Sequence, residues 1–177
     1  MKNLISALVV CLVLMGVNSY AQKSTKKIKF TSVYTDLSKD CEVDEGEAGS
    51  DSTSDCGGPG GYGIYDNPSA SSTAYYIDVP GETAGILIAR QNYDYDHTKM
   101  KAEWRLANGK PFALIMRFFS YGEPKDEDGR FGKKNGEYLR VVGLKGFDHI
   151  DSSVDAKTPN ANVKAREIAD SGYSKKQ

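Results

Sequence analysis

The chain has few histidines, the residues that most often serve as a general acid or base near neutral pH. It has two histidines and one tryptophan among its 177 residues. Neither His97 nor His149 belongs to a cluster of metal ligands at short spacing, so the sequence predicts no zinc site and no cofactor. No Gly-x-Ser-x-Gly elbow is present for a nucleophilic serine. Asp96 and His97 are adjacent and would point to opposite faces of a strand, so we expect solvated loop residues there and no catalytic residues.

Only one long apolar run is present, and it lies at the beginning of the chain. Lys2 precedes the run at Leu4–Val17, and Ser19-Tyr20-Ala21 follows it. A positive end, an apolar stretch and small residues at −3 and −1 predict a secretory signal peptide, residues 1–21, cleaved after Ala21. The run is shorter than the roughly 20 residues that a spanning helix needs. We therefore expect a periplasmic or secreted protein without a membrane span.

The charge of the expected mature chain shows no large excess of one sign. Without Lys2 the chain keeps 22 basic and 24 acidic residues. A nucleic-acid-binding domain usually carries a basic patch, so no nucleic-acid partner is expected. Residues 22–177, 156 in number, suit a single domain that buries roughly two-thirds of its unfolded surface.

The glycine-rich stretch Gly57–Gly63, GGPGGYG, lacks the features of a phosphate-binding loop. No Lys-Ser/Thr pair follows it, and no helical pattern comes after it to supply a dipole. We predict a tight entry into a strand at Tyr62–Tyr65, with glycines at positions of positive φ.

Two cysteines, Cys41 and Cys56, remain after the expected cleavage, and in an exported protein they most simply pair. They enclose most of Asp40–Asp55, a segment with seven acids and no lysine or arginine. Such a segment buries too little apolar area to order itself. We expect a stapled, protruding acidic loop that either binds calcium at an irregular oxygen site or contacts a basic partner through electrostatic steering. The candidate residues of this loop are Asp44, Glu45, Glu47 and Asp51.

The stretch Met100–Tyr121 predicts a β-hairpin, because apolar residues alternate with charged ones on both sides of Asn108-Gly109. A two-residue turn would set charges against the core. A three-residue loop, with Gly109 at the left-handed bulge position, would pair Trp104 with Phe112 and Ala102 with Leu114. Because a slip of one residue inverts a face, we expect the second register.

Further strands are expected at 27–36, 71–79, 84–89 and 138–144, with 147–150 as an extension after a bulge at Gly146. Thr158-Pro159 predicts an N-cap and a first helical position. Alanines then recur at helical spacing, and Gly172 is expected to end the helix. The predicted fold is mainly β: an antiparallel twisted sheet or partly open barrel of about seven or eight strands, with one C-terminal helix covering the second face of the hairpin.

Four stretches resemble a family of small, uncharacterised exported bacterial proteins: SVYTDL at 32–37, CGGPGGY at 56–62, EWRLANGKPFALIMRF at 103–118 and DAKTPNANVKAREIAD at 155–170. The similarity spans nearly the whole expected mature chain. It implies a periplasmic or secreted location and supplies no catalytic residues. Relatives often carry cysteines near the last strand and after the helix, which this chain lacks, so its helix would be held by packing alone.

These observations favour a non-enzymatic protein that binds another protein or an envelope component, with Tyr75 and Tyr76 as further candidates for an aromatic surface. Two alternatives remain: a weak calcium-binding module, and an envelope hydrolase that uses surface carboxylates. For a hydrolase, Glu103 is the best framework carboxylate, but Lys101 and Arg105 beside it predict a solvated, paired face.

Overall fold

The computed structural model describes residues 27–44, 53–69, 72–92, 100–122 and 133–175. The predicted signal peptide, the tip of the acidic segment and most of the polar stretch 91–98 lie outside these residues. Within them the chain forms ten strands and one α-helix. The strands are β1 (Phe30–Asp36), β2 (Cys41–Asp44), β3 (Thr53–Gly57), β4 (Gly63–Pro68), β5 (Ser72–Asp78), β6 (Ile86–Asn92), β7 (Lys101–Ala107), β8 (Lys110–Tyr121), β9 (Lys134–Gly143) and β10 (Asp151–Asp155), and the helix α1 is Ala161–Lys175.

The strands form two antiparallel sheets of five strands each. The order β1-β7-β8-β9-β10 defines the helix-covered sheet, and the order β2-β3-β4-β5-β6 defines the disulfide sheet. Helix α1 packs on the outer face of the helix-covered sheet, so the described part of the chain has three layers.

The predicted mainly-β class with a C-terminal helix is confirmed, but the predicted sheet arrangement is wrong. The described residues form ten strands in two separate sheets, where one twisted sheet or partly open barrel of about seven or eight strands was expected. The three strands missed are the short β2, β3 and β10. Strands β2 and β3 are mainly polar, and β10 (Asp151–Asp155) carries one buried apolar residue. These three segments therefore lack the alternating hydrophobic pattern from which a strand is predicted.

Two apolar cores share the helix-covered sheet. The core between the sheets contains Trp104, Leu114, Met116 and Phe118 from one side and Ile64, Tyr75, Ile77 and Ile88 from the other. The second core lies between the sheet and α1, and includes Phe112, Ala113, Ile115, Val141, Ala165 and Ala169. The central strands are therefore apolar on both faces, as the sequence of β8 predicted.

The predicted hairpin register is wrong, although the predicted faces are mostly right. Asn108 and Gly109 form a two-residue turn with φ of 51° and 82°, and Ala107 pairs with Lys110 across it, as in hairpin turns with two positive φ angles. The register then shifts by one residue between Arg105 and Leu106, so that Trp104 pairs with Leu114.

The extra residue on β8 is Phe112, which follows a proline that donates no ladder hydrogen bond. The bulge places Phe112 beside Ala113 in the helix-side core, not beside Trp104 as predicted. From Leu114 onward the strand returns to the predicted alternation. The two-residue turn and the bulge together therefore place Leu114, Met116 and Phe118 on the face that the three-residue loop was predicted to give them.

Trp104 is fully buried between the sheets. Its Nε1–H donates to Thr35 Oγ1 at 3.0 Å, and Thr35 Oγ1 donates to the Gly57 carbonyl at 2.9 Å. A Cβ on Gly58 would lie 2.5 Å from the indole ring. The glycine-rich stretch is thus a close-approach site for this ring, and Gly60 and Gly61 have the predicted positive φ, 70° and 80°.

Helix α1 begins later and ends later than predicted. Thr158 and Pro159 belong to a turn in which the Ala161 N–H donates to the Thr158 carbonyl, and Asn160 precedes the helix with φ of 56°. Gly172 does not end the helix but lies inside it, where a Cβ would come 2.5 Å from Ile150 Cγ1. The glycine therefore serves close packing and not chain termination.

The predicted extension of β9 through Phe147–Ile150 is also wrong. Gly146 has φ of 83°, and the Phe147 and Ile150 amides donate to the Leu144 and Phe147 carbonyls in two successive turns. The chain then re-enters the sheet as β10, which runs antiparallel to β9. By contrast, the turn expected at Pro80-Gly81 is present, with Gly81 at φ of 76°.

Removal of the disulfide tests how strongly it stabilises the disulfide sheet. Cys41 and Cys56 pair directly across β2 and β3, and their sulfur atoms lie at bonding distance, 1.94 Å. The two cysteines are 15 positions apart in the sequence, so the double variant Cys41→Ala/Cys56→Ala should lose about 3 kcal/mol of unfolding free energy in urea. The single variant Cys41→Ala keeps the buried Cys56 side chain and should lose nearly as much. Wild-type stability in both variants would show that the cross-link contributes nothing.

Substitution of Gly172 tests the close contact between helix and sheet. Alanine in an exposed helical site is better than glycine by about 1 kcal/mol. At this site the new Cβ must displace the buried Ile150 side chain, and overpacking costs roughly 1–3 kcal/mol. We therefore expect Gly172→Ala to be neutral or destabilising in urea unfolding, and Gly172→Ala/Ile150→Val to be more stable than Gly172→Ala. The control Ser171→Ala, at an exposed helical position, should stabilise slightly. An increase of about 1 kcal/mol in the unfolding free energy of Gly172→Ala would show that the close contact with Ile150 is absent.

Candidate binding surface

A row of five residues crosses the outer face of the disulfide sheet from one edge strand to the other. The strand registers place Glu42 opposite Asp55, Asp55 opposite Tyr65, Tyr65 opposite Tyr76, and Tyr76 opposite Leu87. We call Glu42, Asp55, Tyr65, Tyr76 and Leu87 the acidic–aromatic row. Its acids lie on β2 and β3, and its aromatic and aliphatic side chains lie on β4, β5 and β6.

Strand alternation turns this row outward. On the same strands the neighbouring residues Cys56, Ile64 and Ile77 are buried in the core between the sheets. Because successive side chains of a strand point to opposite faces, the row residues face away from that core. The exposed fraction of Leu87, 45%, shows that nothing in the described part of the chain covers this end of the row.

The two tyrosines of the row form a stacked pair. Their ring centroids are 5.1 Å apart and their planes are inclined by 11°. Gly85 leaves room for the Tyr65 hydroxyl, since a Cβ at Gly85 would lie 2.5 Å from it. The rings therefore form one continuous aromatic platform, partly exposed to solvent.

The charges around the platform are mainly negative. Glu42, Asp55 and Asp78 are exposed on this face, and none of them forms an ion pair with another described residue. Asp55 and Asp78 both approach Gly63, whose missing side chain leaves space between them. Arg90, opposite Ala74, is a base at the far end of the face.

The two tyrosines predicted as binding residues have different positions. Tyr76 lies in the row, but Tyr75 is 2% exposed and packs edge-on against Phe118 in the core. Tyr75 is therefore not part of an accessible surface. The predicted acids Glu45, Glu47 and Asp51 lie outside the described residues, and the backbone of Asp44 ends β2 opposite Thr53. The acidic segment thus connects the two strands that carry Glu42 and Asp55.

Sequence reasoning missed Asp55, Tyr65 and Leu87 as members of one surface. The alternation within the predicted strands indicated the faces of Tyr65 and Leu87, but β3, which carries Asp55, was not predicted, and only the registers between strands bring the three residues into line.

Glu103, expected on a solvated face, is 8% exposed and lies beneath α1. Its carboxylate accepts two hydrogen bonds from Arg166, from Nε at 2.6 Å and from Nη2 at 3.0 Å. The contact with Glu103 raises the pKa of the Arg166 guanidinium. Ser32 Oγ also donates to this carboxylate. Glu103 is therefore a hydrogen-bonded part of the contact between helix and sheet.

A second ion pair crosses the same interface with the charges reversed. Arg105 donates to Asp170 from Nε at 3.1 Å and from Nη2 at 2.6 Å. On the strand, Glu103 and Arg105 are two residues apart and share a face. On the helix, Arg166 and Asp170 are four residues apart and also share a face. Arg166 therefore contacts Glu103, and Arg105 contacts Asp170. We call these the crossed ion pairs. They join the helix to the sheet by polar contacts, where the sequence predicted packing alone.

No protein family, curated protein or solved structure matches this chain significantly. Within the described residues no group of three or more histidine, cysteine or carboxylate side chains is placed to hold a metal ion. Across those same residues no helix has the length and apolar character to cross a membrane. His149 is an exposed residue whose ring lies 2.9 Å from the Gly172 carbonyl.

A double-mutant cycle measures the coupling energy between Glu103 and Arg166, one of the two crossed ion pairs. Glu103→Gln and Arg166→Gln should each cost about 1–3 kcal/mol in urea unfolding, because each leaves a charged partner with weaker hydrogen bonds. The double variant should cost less than the sum, with a coupling energy of about 1–2 kcal/mol. The exposed pair of Lys145 and Glu82 serves as a control, and its cycle should give a smaller coupling energy because solvent screens an exposed pair. An equal coupling energy in the two cycles would show that burial under α1 does not strengthen the Glu103–Arg166 pair.

Proposed function

We propose that this protein acts by binding a basic protein or envelope component, and that the acidic–aromatic row is its contact surface. The observation that carries this proposal is the alignment of Glu42 and Asp55 with the stacked Tyr65 and Tyr76 on one outward face. Acids beside an aromatic platform suit a partner that presents arginine or lysine together with apolar groups.

The acids contribute attraction at a distance. A patch of one sign speeds the encounter with a partner of opposite sign and fixes its orientation, and adds less to the final affinity. The predicted acidic segment connects β2 and β3, so its charges would add to those of Glu42 and Asp55. Binding through this face should therefore weaken as salt rises.

The tyrosines contribute short-range contact. An arginine over the face of a tyrosine gains roughly 0.5–1 kcal/mol at an exposed site, and more when the pair loses water. Tyrosine also presents a large, rigid surface at low cost in side-chain entropy. The exposed Leu87 beside the stack extends this area with an aliphatic group.

A binding role also agrees with the state of Glu103. A general acid or base needs a carboxyl group that can exchange protons with a substrate. Glu103 instead accepts hydrogen bonds from Arg166 and Ser32 under the helix. The best framework carboxylate of the sequence is thus engaged in holding the fold.

We further propose that the protein works outside the cytoplasm, in the periplasm or as a secreted protein. The support is the predicted signal peptide together with the Cys41–Cys56 disulfide, since disulfides persist mainly in oxidising compartments.

An NMR titration with hexa-arginine tests the proposed surface directly. We expect saturable amide shifts in β2–β6 around the row, and no such shifts with hexaglutamate. The variant Glu42→Gln/Asp55→Asn should weaken binding several-fold, and Tyr76→Ala should weaken it without changing its salt dependence, because it removes contact area and no charge.

The control for charge is Glu167→Gln/Asp148→Asn, which removes two exposed acids elsewhere and should bind like the wild type. A pull-down from an envelope extract with the mature protein and the two charge variants then identifies the natural partner. Equal binding by both charge variants, or shifts confined to other parts of the protein, would refute the row as the contact surface.

A further inference from the structure

The edge strands of the two sheets differ in how well they are protected against pairing with another strand. An edge strand presents unpaired N–H and C=O groups, and proteins protect such edges by short length, charge, proline or bulges. Strand β2 has four residues, and β10 has five with an aspartate at each end. A register shift interrupts β6 between its pairs with Tyr75 and Tyr76. Three of the four edges therefore carry a recognised form of protection.

Strand β1 lacks these protections. Its seven residues pair with β7 in an unbroken register, and the stretch 30–35 contains no proline and no charged residue. Helix α1 packs mainly on β9 and β10, toward the opposite edge of the sheet. We call the side of β1 that faces away from β7 the free edge.

Two apolar side chains of β1 are exposed, one on each face of the sheet. Val33 lies opposite Trp104 and so belongs to the inner face, and Tyr34 lies opposite Glu103 on the outer face. Their exposed fractions are 40% and 59%. A further strand at the free edge would cover both of them.

Hydrogen bonds at the two ends of β1 show which backbone groups point to the free edge. The Asn108 N–H donates to the Lys29 carbonyl at 2.9 Å, and the Leu37 N–H donates to the Met100 carbonyl at 3.2 Å. Hydrogen-bonded positions alternate along an antiparallel ladder. The odd-numbered residues from 29 to 37 therefore bond to β7, and the even-numbered ones point away from it.

The turn after β1 uses the last of the outward-pointing residues. The Asp36 N–H donates to Asp40 Oδ2 at 2.6 Å, and the Asp36 carbonyl accepts from the Lys39 and Asp40 amides. The three outward-pointing residues before it form no backbone hydrogen bond at the free edge with another described residue. These residues are Phe30, Ser32 and Tyr34.

Antiparallel pairing of two copies about a two-fold axis at Ser32 would use all of these free backbone groups. In that register Ser32 lies opposite Ser32 of the second copy, and Phe30 lies opposite Tyr34 of the second copy. The symmetry repeats the aromatic pair on the outer face. On the inner face the β-branched Thr31 lies opposite the exposed Val33 of the second copy. Aromatic and β-branched cross-strand pairs are the kinds that stabilise a sheet.

The charges at the ends of β1 favour the antiparallel orientation. Lys27 and Lys29 precede the strand, and Asp36 ends it. An antiparallel pair brings the lysines of one copy to the end that carries the aspartate of the other. A parallel pair would place lysines beside lysines, which is unfavourable.

We infer that the free edge of β1 pairs with the free edge of a second copy of this chain, so that two helix-covered sheets join into one continuous sheet across a two-fold axis. A second copy fits this edge because the free backbone groups, the exposed side chains and the end charges each match their own symmetry copies. The acidic–aromatic row lies on the other sheet, so the inference goes beyond the proposed function and does not depend on it.

Sedimentation equilibrium of the mature protein over a concentration series tests the inference. The wild type should form a reversible dimer and no larger species, because a two-fold pair closes on itself. The variant Val33→Lys should weaken association at least about tenfold, since the axis brings the two side chains at this position close together on one face. The matched control is Val163→Lys, the same change at an apolar position of α1 that is 49% exposed, and it should associate like the wild type.

A mixing experiment tests the two-fold register. The variants Val33→Lys and Val33→Glu should each be monomeric when alone, because like charges would meet at the axis. An equimolar mixture should form a heterodimer, because opposite charges then meet. Thermal unfolding of each variant alone checks that it is folded.

Amide hydrogen exchange gives a readout on the unmodified chain. The Phe30, Ser32 and Tyr34 amides should exchange slowly in the dimer and rapidly after dilution. The Thr31 and Val33 amides bond to β7 and should exchange slowly at every concentration.

A wild type that stays monomeric throughout the series would overturn the inference, and so would equal association of Val33→Lys and Val163→Lys. A mixture of the two charge variants that stays monomeric would do the same. Slow exchange of the Ser32 amide in a dilute monomer would show that another segment of the same chain covers the edge, which also overturns it. Monomeric Val33→Lys should still bind hexa-arginine, so the failure of one proposal is distinguishable from the failure of the other.

Discussion

The hydrogen-bonded burial of Trp104 is the interaction on which the rest of the fold depends. Its indole N–H donates to Thr35 on β1, and Thr35 donates to Gly57 at the end of β3. The ring therefore joins both sheets through one side chain, and Gly58 must lack a side chain for the ring to fit. A buried indole without such a partner would leave an unsatisfied donor, at a cost of about 1–3 kcal/mol. This contact also explains why a glycine-rich stretch lies at this position.

The helix-covered sheet has to satisfy different requirements on its two faces. Its inner face is apolar and packs on the disulfide sheet, whereas its outer face combines an apolar stripe with the buried Glu103 and Arg105. Small residues let α1 approach closely, and the crossed ion pairs then fix which helical residues stand over which strand positions. Because pairs in the opposite sense would place like charges together, the arrangement favours a single position of the helix on the sheet.

The fold also separates charges that the composition hides. The whole chain has a net charge of only −1, but Glu42, Asp55 and Asp78 are exposed on the disulfide sheet without an ion pair to another described residue, whereas Lys101, Arg117, Lys134 and Arg166 each lie beside a carboxylate on the helix-covered sheet. A near-neutral total predicts no nucleic-acid footprint, but it gives no information about how the charges are distributed over the surface.

By itself, the sequence determined the local features: the mainly-β class, the terminal helix, the disulfide, the turns at Asn108-Gly109 and Pro80-Gly81, and the burial of Trp104 between apolar strands. Periodicity and turn chemistry act within a few residues, and two cysteines in the expected mature chain allow only one pairing within the chain. These features could therefore be predicted without knowledge of the packing. Only the tertiary structure decided the strand count, the division into two sheets, the bulge at Phe112, the position of Gly172 inside the helix and the burial of Glu103. Each of these depends on which residues distant in sequence come to lie opposite one another, and a register between strands or between a helix and a sheet is set by the whole packing arrangement, not by local preference.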